Sequence, residues 1–213
     1  MKRIILSLFV FFVVSSIVTA QEIRLNAFSK YVFDDKVDSY YSSTSYFEGT
    51  IEGGFQWGLG LEYMAHPTKG IELKYLRQEA QVPMSYYLNG VKTKTFDVNI
   101  NYVLLGGNNY FKTGGKVEPY GGLGIGMAIF KIQNPESSST DDSAIKFAWE
   151  LKLGTNIWVS EKVGIKLQAD LASAVQSAGG GLYFGTGGAG AGVSTYSTMY
   201  QWGLGGGLTF KLK

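Results

Sequence analysis

The chain has 213 residues, with 19 Lys and Arg against 17 Asp and Glu, a single His and no Cys. A formal charge of +2 gives no basic surface for nucleic acid, and the missing thiols exclude a disulfide framework. Beyond the N-terminus no stretch is apolar for the roughly 20 residues that a spanning helix needs, so a membrane could be crossed only by strands.

Lys2-Arg3, the apolar run Ile4 to Val14, and Val18-Thr19-Ala20 are arranged as a secretory signal with a small-x-small cleavage site. Residues 1–20 are therefore expected to be removed, leaving 21–213 as one domain. Losing Lys2 and Arg3 lowers the basic count from 19 to 17, equal to the 17 acids.

Eight strand-like runs follow, because apolar and polar residues alternate with the period of a strand. The first sets Ile23, Leu25, Ala27, Tyr31 and Phe33 against Arg24, Asn26 and Lys30; the second sets Phe55, Trp57, Leu59, Leu61 and Tyr63 against Gln56, Gly58, Gly60 and Glu62. The third opens as Ile71, Leu73 and Tyr75 against Glu72 and Lys74. Its apolar parity then switches to Ala80, Val82 and Met84, leaving Arg77 and Glu79 on the outer side. A β-bulge near 76–79, or a strand already leaving the bilayer, would accommodate that switch. The fourth run reads as Phe96, Val98, Ile100, Tyr102 and Leu104 outward, with Asp97, Asn99 and Asn101 inward.

The fifth sets Leu123, Ile125, Met127 and Ile129 against Tyr120, Gly122, Gly124 and Gly126. The sixth sets Ile145, Phe147, Trp149, Leu151 and Leu153 against Lys146, Ala148, Glu150 and Lys152. The seventh sets Ile165, Leu167, Ala169 and Leu171 against Lys166, Gln168 and Asp170. The last sets Trp202, Leu204, Leu208, Phe210 and Leu212 against Gln201, Gly203, Gly205, Gly207, Thr209 and Lys211.

Connections alternate in length. Ala65–Gly70, Thr113–Lys116 and Ser160–Val163 are tight turns; Asp35–Gly54, Asn134–Ser143 and the Gly-rich Ser177–Thr198 are long polar loops, and the connection around Asn89-Gly90 is shorter. This predicts an all-β, transmembrane, up-and-down antiparallel barrel of about eight strands, with short periplasmic turns and long extracellular loops. A soluble barrel would alternate as well, with its oily face inward. Glycines gathered on the polar face, and aromatics such as Phe55, Trp57, Tyr63, Tyr102, Trp149 and Phe210 near strand ends, favour the membrane orientation.

Pro119-Tyr-Gly-Gly-Leu-Gly-Ile-Gly126 and the terminal Gly207-Leu-Thr-Phe210-Lys-Leu212 resemble the small outer-membrane β-barrels of Gram-negative bacteria, the OmpA-barrel and OmpX-like "porin family". The resemblance covers the mature chain. It implies residence in the outer membrane among lipid and lipopolysaccharide, reached through periplasmic chaperones and the barrel-assembly machinery. Gly207, Phe210 and Leu212 match the family's C-terminal assembly signal, although the chain closes with Lys213 rather than an aromatic. A chain ending at its eighth strand is expected to lack the peptidoglycan-binding domain that some relatives append.

Arg24, Glu62, Glu72, Lys74, Asp97, Glu150, Lys152, Lys166 and Asp170 should point inward and form a cross-barrel network that plugs a lumen only wide enough for side chains. No catalytic, cofactor or metal residues are assigned. His66, before Pro67, reads as a turn residue, and a general base needs an oriented partner. The acids Asp34, Asp35, Asp38, Glu136, Asp141 and Asp142 have no fixed ligand spacing and read as solvated loop. The Gly-rich stretch has no Gly-Lys-Ser/Thr to cradle phosphate; it and the segment Tyr40–Phe47 read first as polar loops without a partner, the alternative being a surface ligand met by Tyr183, Phe184 and the Tyr40–Phe47 segment. The expected function is thus a non-enzymatic structural or interaction barrel. The alternative is a narrow porin-like channel, favoured by free volume at the glycine tracks and at Asn99 and Asn101.

Overall fold

Side-chain alternation closes this chain into a cylinder. The computed structural model describes residues 22–42, 45–87, 91–133, 142–175, 181–185, 188–192 and 199–212; the expected leader, Glu136, Asp141 and Lys213 lie outside them. In chain order the strands are β1 (Ile23–Val32), β2 (Asp35–Ser42), β3 (Ser45–Ile51), β4 (Gly54–His66), β5 (Lys69–Tyr87), β6 (Val91–Tyr110), β7 (Val117–Gln133), β8 (Asp142–Trp158), β9 (Val163–Val175), β10 (Gly181–Gly185), β11 (Gly188–Gly192) and β12 (Met199–Lys211).

Eight of them form the wall, in the order β5-β4-β1-β12-β9-β8-β7-β6, and β6 pairs back onto β5. Every pairing is antiparallel, and the seam joins the first strand to the last, from Arg24↔Lys211 to Val32↔Gly203. Closure leaves no free edge in the wall, which is how a β-structure satisfies its backbone in lipid.

At one end the wall strands are joined by short turns: Pro67-Thr68, residues 111–116, where Gly114 takes a left-handed φ of 75°, and residues 159–162. At the other end, two stretches expected as loops carry hairpins. Asp35 to Ile51 folds as β2 on β3, and β3 extends the sheet by pairing Phe47, Glu48 and Gly49 with Tyr86, Ser85 and Met84 of β5. The Gly-rich stretch carries β10 paired with β11.

β5, β6, β7 and β8 are 19, 20, 17 and 17 residues long. About 9–11 residues cross a bilayer, so their loop ends stand clear of it. This settles the third run. The β5–β6 register runs unbroken from Lys69↔Asn109 to Tyr87↔Val91, with no bulge at 76–79. Arg77, Glu79 and Gln81 simply continue on the outer wall, while Leu76, Gln78, Ala80 and Val82 are buried inside.

The fourth run is inverted relative to the sequence reading. Val98, Ile100, Tyr102 and Leu104 are buried in the lumen, and Asp97, Asn99 and Asn101 lie on the outer side; the side chain of Phe96 is outside the described residues. Outward positions on β6 are odd-numbered from Asp97 to Asn109, as the exposed Val103 and Leu105 show lower down. Above the bilayer the outer wall meets water and the enclosed side does not, so the polar and apolar faces exchange places. Tyr102 accordingly leaves the aromatic girdle.

The lumen therefore has two regimes. Towards the loop end it is packed with Leu76, Ala80, Val82, Val98, Ile100, Phe130, Ala144, Ala148 and Met199. Towards the turn end it is polar. The outer wall carries the exposed apolar belt, including Leu59, Leu61, Leu73, Ile125, Leu153, Leu167, Trp202 and Leu204. Edge-on aromatic pairs lie along it: Tyr31–Phe33, Trp57–Tyr75 and Trp149–Tyr200.

Candidate functional site in the barrel lumen

At the turn end the floor is built around Arg24. Its guanidinium donates to both oxygens of Glu118, at 2.8 and 3.3 Å, and also pairs with Glu22. The rings of Tyr110 and Trp158 lie 4.7 and 5.1 Å from it. Asn156 Nδ2 donates to Glu118 at 3.1 Å. Bidentate pairing plus aromatic stacking is a role that Lys would not fill.

Above this floor the carboxylates of Glu62 and Glu72 sit side by side, bridged by amides. Glu62 accepts from Tyr110 Oη at 2.7 Å and Asn108 Nδ2 at 2.6 Å, and Asn26 Nδ2 donates to Glu72 at 2.7 Å. Gly60 leaves room for this pair, since a Cβ there would lie 2.6 Å from Glu72 Oε1.

The next tier is a charge lattice that spans the lumen. Lys152 Nζ on β8 donates to Glu72 Oε2 on β5 at 2.6 Å, and Lys74 Nζ on β5 donates to Glu150 Oε2 on β8 at 2.8 Å. Lys30 on β1 pairs with Asp170 on β9 and lies 3.8 Å from Glu150. All six side chains are essentially buried. Each ion would cost several kcal/mol to bury alone, and each of these six has an opposite charge beside it.

Lys166 is brought into the same space without an ion pair among the described residues. Its ammonium lies 4.3 Å from the Tyr120 ring centroid and 6.0 Å from that of Phe28, whose ring also faces Lys74 at 4.5 Å. Between this lattice and the apolar packing lies a tier of neutral polar groups. Gln56 Nε2 donates to Gln78 Oε1 at 3.1 Å, while Tyr102 Oη and both amide atoms of Gln201 find no hydrogen-bond partner among the described residues.

Of the residues expected in the lumen, Arg24, Glu62, Glu72, Lys74, Glu150, Lys152, Lys166 and Asp170 are buried there. Asp97 is not. It is exposed on the outer wall, where its carboxylate accepts from Gln81 at 3.2 Å within a polar ladder that includes Arg77–Glu79 and Tyr75–Asn101, both at 2.8 Å. Asn99 and Asn101 belong to that ladder's strand and so add no volume to the lumen. Sequence reasoning placed Lys30 on the inward face without counting it in the network, and missed Glu118, Asn108 and Tyr110 as members. Continuing inward parity back from Tyr120 would have found Glu118; the inverted reading of β6 hid the other two.

Gly207 sits in the seam opposite Phe28, Phe210 pairs with Leu25, and Leu212 N–H donates to Ile23 O at 2.8 Å. His66 is exposed in its turn, where the Thr68 N–H donates to its Nδ1 at 3.3 Å. Asp34 caps Gly53 N–H at 2.7 Å and Asp35 accepts from Tyr200 N–H at 2.9 Å, so both acids anchor backbone at the hairpin base.

No protein-family model and no curated protein matches the sequence. Solved structures do match the fold. Neisserial surface protein A is 13% identical, over 90% of this chain and 97% of that one, with a TM-score of 0.58. The outer membrane protein OprG from Pseudomonas aeruginosa is 15% identical, over 91% and 96%, with a TM-score of 0.57. The outer membrane protease OmpT from Escherichia coli is 7% identical, over 90% and 97%, at 0.52. With its closed eight-stranded wall and oily exterior, the chain has the fold of the small transmembrane β-barrels of the Gram-negative outer membrane.

Proposed function

We propose that this protein is a non-enzymatic barrel of the outer membrane that holds extracellular hairpins as an interaction scaffold over a closed lumen. The observation that carries this reading is the pair of reciprocal ion bridges, Lys152–Glu72 and Lys74–Glu150, which cross the interior between β5 and β8. The apolar packing around Ile100 and Phe130 lies above them as a second layer. His66 serves its own turn, which supports a role without catalysis. The mature chain starts after Ala20, and its partners are outer-membrane lipid and lipopolysaccharide, with chaperones and the assembly machinery during biogenesis. A surface ligand would meet the β2–β3 and β10–β11 hairpins.

The unpartnered groups of Gln201 and Tyr102 favour a second reading, a narrow water-filled channel for small solutes. Conductance of the refolded protein in a planar bilayer separates the two. The scaffold reading expects no discrete steps; reproducible unitary steps would establish the channel.

A further inference from the structure

The outer wall is indented on the turn half of β6 and β7. There Gly107 and Gly121 occupy outward positions, and the residues around them are long: Gly107 pairs with Leu123, and Gly121 pairs with Leu153. The result is a groove of about 640 Å³. Leu123, Leu151 and Leu153 line its oily side, Gly107 and Gly121 open it, and Asn109, Phe111 and Lys69 stand at its turn end. A Cβ added at Gly107 would meet nothing within 4 Å, so the space is open. Lys69 is exposed and has no ion pair among the described residues. It follows directly on the Pro67-Thr68 turn, at the turn end of the exposed apolar belt.

We propose that this groove seats one acyl chain of an anionic glycerophospholipid of the periplasmic leaflet, with the lipid phosphate at the Lys69 ammonium. The inference rests on the membrane-embedded reading of the barrel. An oily slot of this size suits a single hydrocarbon chain, and the cation at one end fixes which way the lipid points. A flat wall would be solvated by lipid without preference. A slot ending at an unpaired charge selects by headgroup and slows exchange, because chain and phosphate are held together.

The test is native mass spectrometry of the refolded full chain, released from detergent and titrated with phosphatidylglycerol or with phosphatidylcholine of the same chains. Wild type should retain one phosphatidylglycerol in preference to phosphatidylcholine. Gly107→Leu fills the slot and should weaken that retention by about tenfold or more. Lys69→Glu should erase the headgroup preference while one lipid of either kind still binds. A heat-modifiable gel shift establishes that each variant is folded, and Gly107→Ala serves if the leucine variant is not. Equal retention by wild type and the filled variant, or no headgroup preference in wild type, would overturn the site. A wild-type protein that stays monomeric in buffer without detergent would instead overturn the membrane reading beneath it.

Discussion

Lys152 and Glu72 lie on strands on different sides of the lumen, β8 and β5, yet their charged atoms are 2.6 Å apart. Lys74 and Glu150 repeat the bridge in the opposite sense at 2.8 Å, so each of the two strands supplies one cation and one anion. Removing one member leaves a buried charge unpaired. Lys152→Met should destabilise by about 3–5 kcal/mol, read as a shift in urea midpoint of the detergent-refolded barrel. Combined with Glu72→Gln, the loss should be non-additive by about 0.5–3 kcal/mol. Strict additivity of the two would show that the bridge carries no coupling.

Lys166 gives the contrasting case. With no carboxylate bonded to it, Lys166→Met should show little coupling to Glu150→Gln, the two effects adding within about 0.5 kcal/mol. The same unfolding series measures both cycles. Strong coupling would mean a Lys166–Glu150 ion pair, whereas the structure sets the Lys166 ammonium against the rings of Tyr120 and Phe28.

The inverted parity of β6 predicts a labelling pattern. The sequence has no Cys, so single-cysteine variants report one position each. On intact cells, Asn101→Cys should react with a membrane-impermeant maleimide, and Ile100→Cys should not. The reverse pattern would restore the orientation read from the sequence.

Outer-wall charges should be cheap above the belt and costly within it. Arg77→Leu replaces an exposed ladder member and should change stability by no more than about 0.5 kcal/mol. Leu73→Arg, two rows lower on β5, should cost about 2–4 kcal/mol. Unfolding in lipid vesicles checks both, and a cost at Arg77 equal to that at Leu73 would place the bilayer boundary higher on β5.

Most of the wall was legible because membrane strands alternate between two contrasting media, and seven of the eight runs keep the orientation that their residues predict. β6 failed for a physical reason. Alternation identifies two faces but not the surroundings of each, and those surroundings exchange where a strand rises out of lipid. Val103-Leu104-Leu105 holds apolar residues on both parities and marks the crossover. The lumen charges were readable one by one, yet their partners were not: pairing between β5 and β8 depends on how the sheet curls, which no local pattern encodes. The hairpins of Asp35–Ile51 and Gly181–Gly192 were obscured by Ser, Tyr and Gly, which read as loop when cross-strand pairing is unknown.

The seam between β1 and β12 has a consequence for synthesis. Ile23 and Leu212, at the two ends of the barrel's stretch of chain, are hydrogen-bonded neighbours. No vectorial, strand-by-strand maturation can finish the cylinder, because its opening strand waits for the final one to be delivered. Until then the nascent polypeptide carries two raw edges and a half-formed ionic interior, so it must be kept apart from its own kind for as long as translocation lasts.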